Sequence, residues 1–200
     1  AGEPDGSETI ETILILGAGP AGLIFLQYLR KAQKFQGQIL VADRVEEKLK
    51  LVERFGGTPV NPSQVDLAKA VGELTGGRKI HFLIEATGSG VVFQTIPAVL
   101  RKQATVVLYG HGHEGTDLSV LNRLLFLEPT LVVSVGASGR IDAHTGRPET
   151  TQRAVKLIQS GRIEVRPLIS HQYGVLEDIR HAFERDSRNQ DYIKGVLSLE

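Results

Sequence analysis

Cysteine, methionine and tryptophan are all missing from this chain of 200 residues, and the first two absences bear on function. Without cysteine it can form neither a disulfide nor a thiolate metal site, and its six histidines show no HxxxH or HExxH spacing. We therefore predict that no metal site lies within this chain. Because methionine is absent and only a short polar stretch precedes the first predicted strand, we expect the chain to be the back part of a longer protein.

An excess of charge of one sign is also missing. Lys plus Arg and Asp plus Glu both total 23, so the formal net charge is zero and no global field favours nucleic acid, an anionic membrane or a polyanionic substrate. No apolar run approaches the roughly 18 residues needed to cross a bilayer, and the opening AGEPDGSETI does not resemble a signal peptide. With 41% apolar residues the chain can bury one core, and we expect a globular cytoplasmic protein.

Short apolar runs alternate with helical patterns along most of the chain. The run TILIL at 12–16 is typical of a strand buried on both faces of a parallel sheet, and leucines at helical spacing predict a helix over 20–34. The same alternation predicts strands over 38–42, 59–60, 79–86, 105–109 and 131–135, and helices over 46–55, 63–75, 91–100 and 118–127. This pattern predicts an α/β fold with a doubly wound Rossmann parallel sheet of about six strands.

The pattern changes near residues 136–139, where a polar, glycine-rich stretch begins. Beyond it we predict an α+β tail rather than another βαβ repeat, with helices over 151–159 and 176–184 and strands over 163–169 and 193–199. We therefore divide the chain into a flexible segment 1–10, a Rossmann domain 11–137 and a C-terminal segment 138–200.

The first predicted strand is followed at once by a glycine-rich turn, made of Gly17, Ala18, Gly19, Pro20, Ala21 and Gly22. In a GxGxxG turn the first glycine permits the tight turn, the second lets phosphates approach the main chain, and the third lets the helix pack close to the strand. An acidic residue, Asp43, ends the second strand 21 residues after Gly22. This combination indicates a dinucleotide-binding site.

Asp43 predicts which dinucleotide is bound. A carboxylate at this place accepts hydrogen bonds from ribose hydroxyls and repels a 2′-phosphate, so we predict NAD(H) in preference to NADP(H). Two alternatives remain open. Arg44 could neutralise a phosphate or lie along the adenine, and Asp43 could instead cap the helix that begins near Glu46, or serve both ends.

The sequence resembles the medium-chain dehydrogenase/reductase superfamily along nearly its whole length. The segments that carry the resemblance are ETILILGAGPAGL, VADRVEEKLKLVERFGGTPVNP, IEATGSG, VVLYG, SVGASG and RIEVRPLISHQYGVLEDIRHAF. The GAGP turn is similar to that of the zinc-dependent polyol, threonine and alcohol dehydrogenases. The resemblance implies the NAD(H)-binding portion of an enzyme that transfers hydride between a secondary alcohol or polyol and NAD.

The resemblance also implies what this chain does not contain. The catalytic zinc would be held by Cys, His and an acidic residue on an N-terminal domain, and neither a cysteine nor a histidine precedes Thr12 here. No catalytic residue is therefore expected here, and the chain alone should bind NAD yet catalyse little. A zinc-free enoyl or quinone reductase of the same superfamily, which Asp43 disfavours, and a stand-alone NAD-sensing module are the alternatives.

Further coenzyme contacts are implied at the ends of strands. Lys48 would reach the adenosine ribose, although it could equally be a solvated helix charge. The other implied contacts are Thr87 and Gly88 on the adenosine side, Tyr109, Gly110 and His111 beside the nicotinamide, and Ser134 and Val135 at the carboxamide. The strand over 131–135 is the implied edge for a homodimer or higher homo-oligomer.

The segment YGHGHEG places His111 and His113 two residues apart. The pair could form a proton shuttle or bind a metal, but we favour a flexible loop with two exposed imidazoles. Farther along, we expect a structural hydrogen-bonding role for His171 and places in the core for Tyr173 and Phe183.

Overall fold

The computed structural model describes residues 9–133, 140–141, 143–144, 146, 148–174 and 178–198. Within these residues, six parallel strands form one sheet in the order β3-β2-β1-β4-β5-β6. They are β1 (Thr12–Leu16), β2 (Gln38–Ala42), β3 (Thr58–Val60), β4 (Ile80–Glu85), β5 (Leu100–Leu108) and β6 (Thr130–Val133). The order reverses between β1 and β4, as in a Rossmann sheet, so the predicted fold class is confirmed.

Helices cover both faces of this sheet. They are α1 (Pro20–Gln27), which continues into a π-helical turn over Tyr28–Ala32, α2 (Glu46–Arg54), α3 (Leu67–Leu74), α4 (Gly90–Phe93), α5 (Ile96–Val99) and α6 (Val120–Leu125). Alternate residues of β1 point to opposite faces: Leu14 packs in a core with α3 to α6, and Ile15 in a second core with α1 and α2. Both faces of β1 are buried, which explains its uninterrupted apolar run.

Two predicted helices differ from the observed ones. The helix predicted over 63–75 begins only at Leu67, where Asp66 caps it by accepting a hydrogen bond from Lys69 N at 2.7 Å. The helix predicted over 91–100 is two short helices. Pro97 has no N–H to donate to the carbonyl four residues earlier, so it is found in the first turn of a new helix, α5, where no donor is needed.

The C-terminal segment also departs from the prediction. Its helices are α7 (Glu149–Gln159) and α8 (Asp178–Glu184), and its strands β7 (His171–Tyr173) and β8 (Gly195–Leu197) pair in parallel in a separate sheet. Because α8 lies between the parallel strands β7 and β8 in the chain, the segment contains a small βαβ unit, contrary to the prediction that the tail is not another βαβ repeat. The strand predicted over 163–169 is wrong: a 3₁₀ turn occupies Arg166–Leu168, and Pro167 lacks the N–H that a ladder needs.

This C-terminal segment packs on the outer face of the Rossmann part. Ile163 and Leu168 are buried, and the fully buried side-chain amide of Gln27 pairs with the main chain of Glu164. Gln27 Oε1 accepts from Glu164 N at 2.7 Å, and its Nε2 donates to Glu164 O at 3.2 Å. The hydrogen bond and charge of Lys31, and then the charge of Arg54, lower the pKa of Glu164. The segment is thus held by a buried amide pair and a flanking ion-pair cluster.

The three residues singled out in the tail differ in burial. His171 bonds Ser170 Oγ through Nδ1 at 2.9 Å and packs its ring against Tyr192, in the predicted structural role. Tyr173 is half-buried and donates to Asp186 at 2.8 Å. Phe183 is 73% exposed, so its predicted core position is wrong, because the two-stranded sheet is too small to cover all faces of α8.

Several predictions fall on residues that lie outside the described ones. These are segment 1–8, the change of pattern at 136–139, the last two residues of the strand predicted over 131–135, the first two of the helix predicted over 176–184, and the last of the strand predicted over 193–199. The division of the chain at residue 137 stays a prediction. No helix in the described ranges is long and apolar enough to span a membrane.

Candidate coenzyme site

The glycine turn joins β1 to α1 at the carboxyl edge of the sheet. Gly17 has φ +98°, in the left-handed region, and its N–H donates to Ala42 O at 2.8 Å. A Cβ on Gly22 would lie 1.9 Å from the carbonyl oxygen of Gly17, so only glycine lets α1 start this close to the turn. A Cβ on Gly19 would meet nothing within 4 Å, which leaves its main chain open to a ligand.

Pro20 and Ala21 form the first turn of α1. Proline suits the first helical position, since its fixed φ is helical and no N–H is required there. The first turn of a helix carries N–H groups without intrahelical partners and a partial positive charge, and both favour an anion. The turn therefore offers space, donors and the right sign of charge for a phosphate.

The structure brings Asp43 to this turn. Its Oδ2 accepts a hydrogen bond from Ala18 N at 2.8 Å, and its Oδ1 accepts one from Val45 N at 3.0 Å. The N-cap residue of α2 is Val45, without a side-chain cap, so Asp43 stabilises the approach to α2 rather than its first turn. One half-buried carboxylate thus joins the glycine turn to the segment that leads into α2.

The charged neighbours of Asp43 lie farther out. Arg44 is exposed, and its carbonyl accepts a hydrogen bond from Asn61 Nδ2 at 3.4 Å. Lys48 lies half-buried in the first turn of α2. The structure therefore places both near the end of β2, as the sequence predicted, without assigning either a coenzyme contact.

A fully buried carboxylate, Glu85, ends β4 and was missed by the sequence analysis. It accepts hydrogen bonds from Thr87 N at 2.8 Å, from Thr87 Oγ1 and from Gly88 N at 3.1 Å. Thr87 and Gly88, both predicted coenzyme contacts, are thereby held in place beside the glycine turn. The available signal was an acidic residue at the end of the apolar strand IHFLIE.

Beyond β5, Tyr109 is exposed and packs edge-on against Phe25 of α1, with ring centroids 5.0 Å apart. The N–H groups of Tyr109 and Gly110 donate to Glu85 O at 3.0 and 2.8 Å. The loops that follow β4 and β5 therefore lie side by side at the same edge as the glycine turn.

The two loop histidines have different environments. His111 is exposed, as favoured, but His113 is not: its Nε2 lies 2.8 Å from Glu85 Oε2, and its side chain is 23% exposed. The interpretation of two exposed imidazoles is therefore wrong for His113. Across the described residues, no group of three or more His, Asp or Glu side chains could hold a metal ion. Ser134 and Val135 lie outside the described residues.

Comparison with known families agrees with this arrangement. The model of the family described as zinc-binding dehydrogenase matches residues 20–160. The chain belongs to the zinc-binding dehydrogenase family. The resemblance to the zinc-dependent members of the medium-chain superfamily is confirmed.

Curated relatives of this chain are about twice as long. The L-threonine 3-dehydrogenase of Pyrococcus furiosus is 26% identical over 175 residues, which cover 87% of this chain and 47% of the relative. The erythritol/L-threitol dehydrogenase of Mycolicibacterium smegmatis is 29% identical over 168 residues, or 84% of this chain and 43% of the relative. The chain thus spans about half the length of the relatives that it matches.

Solved structures share the fold of this chain. An alcohol dehydrogenase from Escherichia coli CFT073, complexed with NADH, superposes with a TM-score of 0.76 at 22% identity over 95% of this chain and 52% of that one. The L-idonate 5-dehydrogenase of E. coli K-12 gives a TM-score of 0.75 at 21% identity over 97% and 51%. At these identities the likeness concerns the fold.

Proposed function

We propose that this chain is the NAD(H)-binding portion of a zinc-type medium-chain dehydrogenase that transfers hydride between a secondary alcohol or polyol and NAD. The observation that carries the proposal is the half-buried carboxylate of Asp43, held 2.8 Å from the N–H of Ala18 in the glycine turn. A carboxylate there meets ribose hydroxyls while the adjoining N–H groups meet the pyrophosphate.

In this proposal each group at the carboxyl edge of the sheet contacts a particular part of the coenzyme. The glycine turn of Gly17 to Gly22 holds the pyrophosphate, Asp43 and Lys48 hold the adenosine ribose, and Arg44 lies along the adenine. Thr87 and Gly88 line the adenosine side, Tyr109, Gly110 and His111 lie beside the nicotinamide, and Ser134 and Val135 meet the carboxamide. When bound, the nicotinamide supplies the group that accepts or donates hydride.

The substrate and the zinc belong to the rest of the enzyme in this proposal. The names of the relatives, which act on threonine or on a polyol, support a hydroxylated substrate. Zinc would polarise the oxygen of that substrate from a domain that this chain does not contain. We therefore propose that the chain alone binds coenzyme without measurable turnover of alcohols.

We also propose that the chain pairs with a second copy along β6. Within the described residues this strand is an edge of the sheet, all four of its residues are exposed, and Val133 is 76% exposed. Leu125 and Phe126, which precede it, are 72% and 75% exposed. An unpaired apolar edge strand of this kind is satisfied by a copy of itself across a twofold axis.

Titration of the 200-residue chain with NADH and, separately, with NADPH tests the proposal. We expect enhanced nicotinamide fluorescence on binding and a lower dissociation constant for NADH than for NADPH. Equal or reversed affinities would overturn the role of Asp43. Absence of binding by either coenzyme would overturn the proposed function itself.

A further inference from the structure

The carboxylate of Glu85 is fully buried, yet the function proposed above gives it no role. A buried charge is costly unless hydrogen bonds surround it. Three of its donors belong to the loop that follows its own strand: Thr87 N, Thr87 Oγ1 and Gly88 N. The fourth, His113 Nε2 at 2.8 Å, comes from the loop after β5, 28 residues further along the chain. His113 is therefore the side chain that joins a second loop to this buried charge.

The two loops touch through their main chains as well. A Cβ on Gly88 would lie 2.1 Å from His111 O, and one on Gly110 would lie 2.1 Å from Gly88 N. The N–H of His113 donates to Gly88 O at 2.6 Å. Glycine at both places allows this approach, and the hydrogen bonds of His113 maintain it.

His113 is itself held from several sides. Its ring packs edge-on against Phe93 with centroids 5.4 Å apart, and its carbonyl accepts from Thr116 Oγ1 at 2.6 Å. Its φ of +54° lies in the left-handed region, which a residue other than glycine adopts only when its surroundings determine it. The loop conformation thus depends on the contacts of this one residue.

The consequence reaches the glycine turn. Thr87, which Glu85 holds, has its Cγ2 2.9 Å from the position of a Cβ on Gly17. Any shift of the loop over 86–90 therefore changes the wall that faces the turn. Tyr109 and Gly110, whose N–H groups donate to the main-chain oxygen of Glu85, would shift with the second loop.

We propose that His113 is a positioning residue of the coenzyme site: through Glu85 it holds the loops over 86–90 and 109–116 together before coenzyme arrives. Loops that are ordered in advance lose less entropy on binding, so the tie raises affinity without a contact to the ligand. The effect on affinity rests on the function proposed above, whereas the order of the loops can be measured without coenzyme.

The test uses two variants of the 200-residue chain whose side chains at position 113 differ in length, so that only one can reach Glu85. His113→Gln places an amide N–H close to the position of the imidazole Nε2, whereas His113→Asn keeps an amide and tolerates the left-handed backbone but is too short to reach Glu85. His181→Asn, on the exposed side of α8, is the matched control. The readouts are the NADH dissociation constant and amide hydrogen exchange of residues 86–90 and 109–116 in the coenzyme-free chain.

We expect His113→Asn to weaken NADH binding about tenfold, the cost of ordering one or two loop side chains, and to speed exchange in both loops. His113→Gln should restore both values to near those of the parent. Equal weakening by both variants would overturn the proposal, since the imidazole itself would then be the required group. Unchanged exchange in His113→Asn would also overturn it.

The experiment distinguishes failure of the proposed function from failure of the positioning role of His113. If the parent chain binds no NADH, the proposed function fails, and the exchange comparison still decides whether His113 orders the loops. If His113→Asn does not fold, His113→Leu, which retains bulk against Phe93 without a donor, is compared with His113→Gln by the same two measurements and the same criteria.

Discussion

The carboxylate of Asp43 lies 2.8 Å from the main-chain nitrogen of Ala18, although 25 residues separate them in the chain. This hydrogen bond joins the carboxyl ends of β1 and β2, where a dinucleotide would cross from pyrophosphate to ribose. The same carboxylate holds Val45 N at 3.0 Å. Asp43 is thus both a structural tie and the charge that would select the coenzyme.

Substitution of Asp43 separates these two tasks. Asp43→Asn removes the charge and keeps one oxygen as an acceptor, whereas Asp43→Gly removes both. We expect both variants to weaken NADH binding about tenfold or more, since a hydrogen bond to a charged group contributes roughly 1.5–3 kcal/mol. Affinity for NADPH should fall less or rise, because repulsion of the 2′-phosphate disappears. Fluorescence titration checks this, with Asp191→Asn, an exposed site, as control; an unchanged preference in Asp43→Asn would contradict it.

Gly22→Ala tests the packing of α1 on the glycine turn. The added methyl would lie 1.9 Å from Gly17 O, a main-chain atom that cannot move without shifting β1 or α1. We expect a loss of roughly 1–3 kcal/mol in unfolding free energy and a loss of NADH binding. Gly72→Ala in α3 is the matched control, because a methyl there meets nothing within 4 Å. The control should gain up to about 1 kcal/mol from helix propensity. Denaturant unfolding of both variants measures the difference, and equal stabilities would refute the packing argument.

Gln27→Leu tests how the C-terminal segment is attached. The substitution conserves most of the volume but removes both hydrogen bonds to Glu164, which leaves its main-chain groups without their partner. We expect a loss of roughly 1–3 kcal/mol in unfolding free energy, and faster amide exchange at 163–168. Gln36→Leu, at an exposed position, should leave exchange there unchanged. If exchange at 163–168 is the same in all three chains, the amide pair does not hold the segment.

The surroundings of Tyr173 predict that this tyrosine ionises at a higher pH than an ordinary tyrosine in an alkaline titration. Loss of solvation, and then the hydrogen bond to Asp186 and its charge, raise the pKa of Tyr173 to about 12 from an ordinary value of 10.0. A raised folded-state pKa means that the associated stability is present in full below pH 10 and is lost as the pH rises through 12. Phenolate absorbance should therefore show one of the four tyrosines ionising late.

Two variants assign this late step. Tyr173→Phe should abolish it, and Asp186→Asn should move it toward lower pH without abolishing the loss of solvation. A titration in which Tyr173→Phe removes an early step instead would show that the ring is solvated.

The edge of β6 predicts self-association. Val133→Lys places a charge at a position that is 76% exposed in the single chain, so the fold should tolerate it while pairing of two edges is blocked. We expect light scattering to give a dimer mass for the parent chain and a monomer mass for this variant. Val91→Lys, at a position 79% exposed on α4, should remain a dimer. A parent chain that is monomeric at high concentration would rule out the interface.

The sequence determined much of the sheet and the glycine turn by itself. β1 and β2 were predicted with the observed bounds, because burial on both faces requires uninterrupted apolar runs. The spacing of Gly17, Gly22 and Asp43 was equally informative, since a phosphate-binding turn and the residue that ends the next strand obey local steric rules. The family resemblance rests on the same local segments and is confirmed by the family model.

Only the tertiary structure decided the features that depend on partners distant in the chain. Glu85 is an ordinary strand end in sequence, and His113 an ordinary loop residue, until the neighbouring positions of β4 and β5 bring them within 2.8 Å. Gln27 similarly became a buried anchor because Glu164 returns to it across 137 residues. Periodicity and motif spacing describe local geometry, whereas these pairs exist because the order of strands in the sheet juxtaposes segments that the sequence keeps apart.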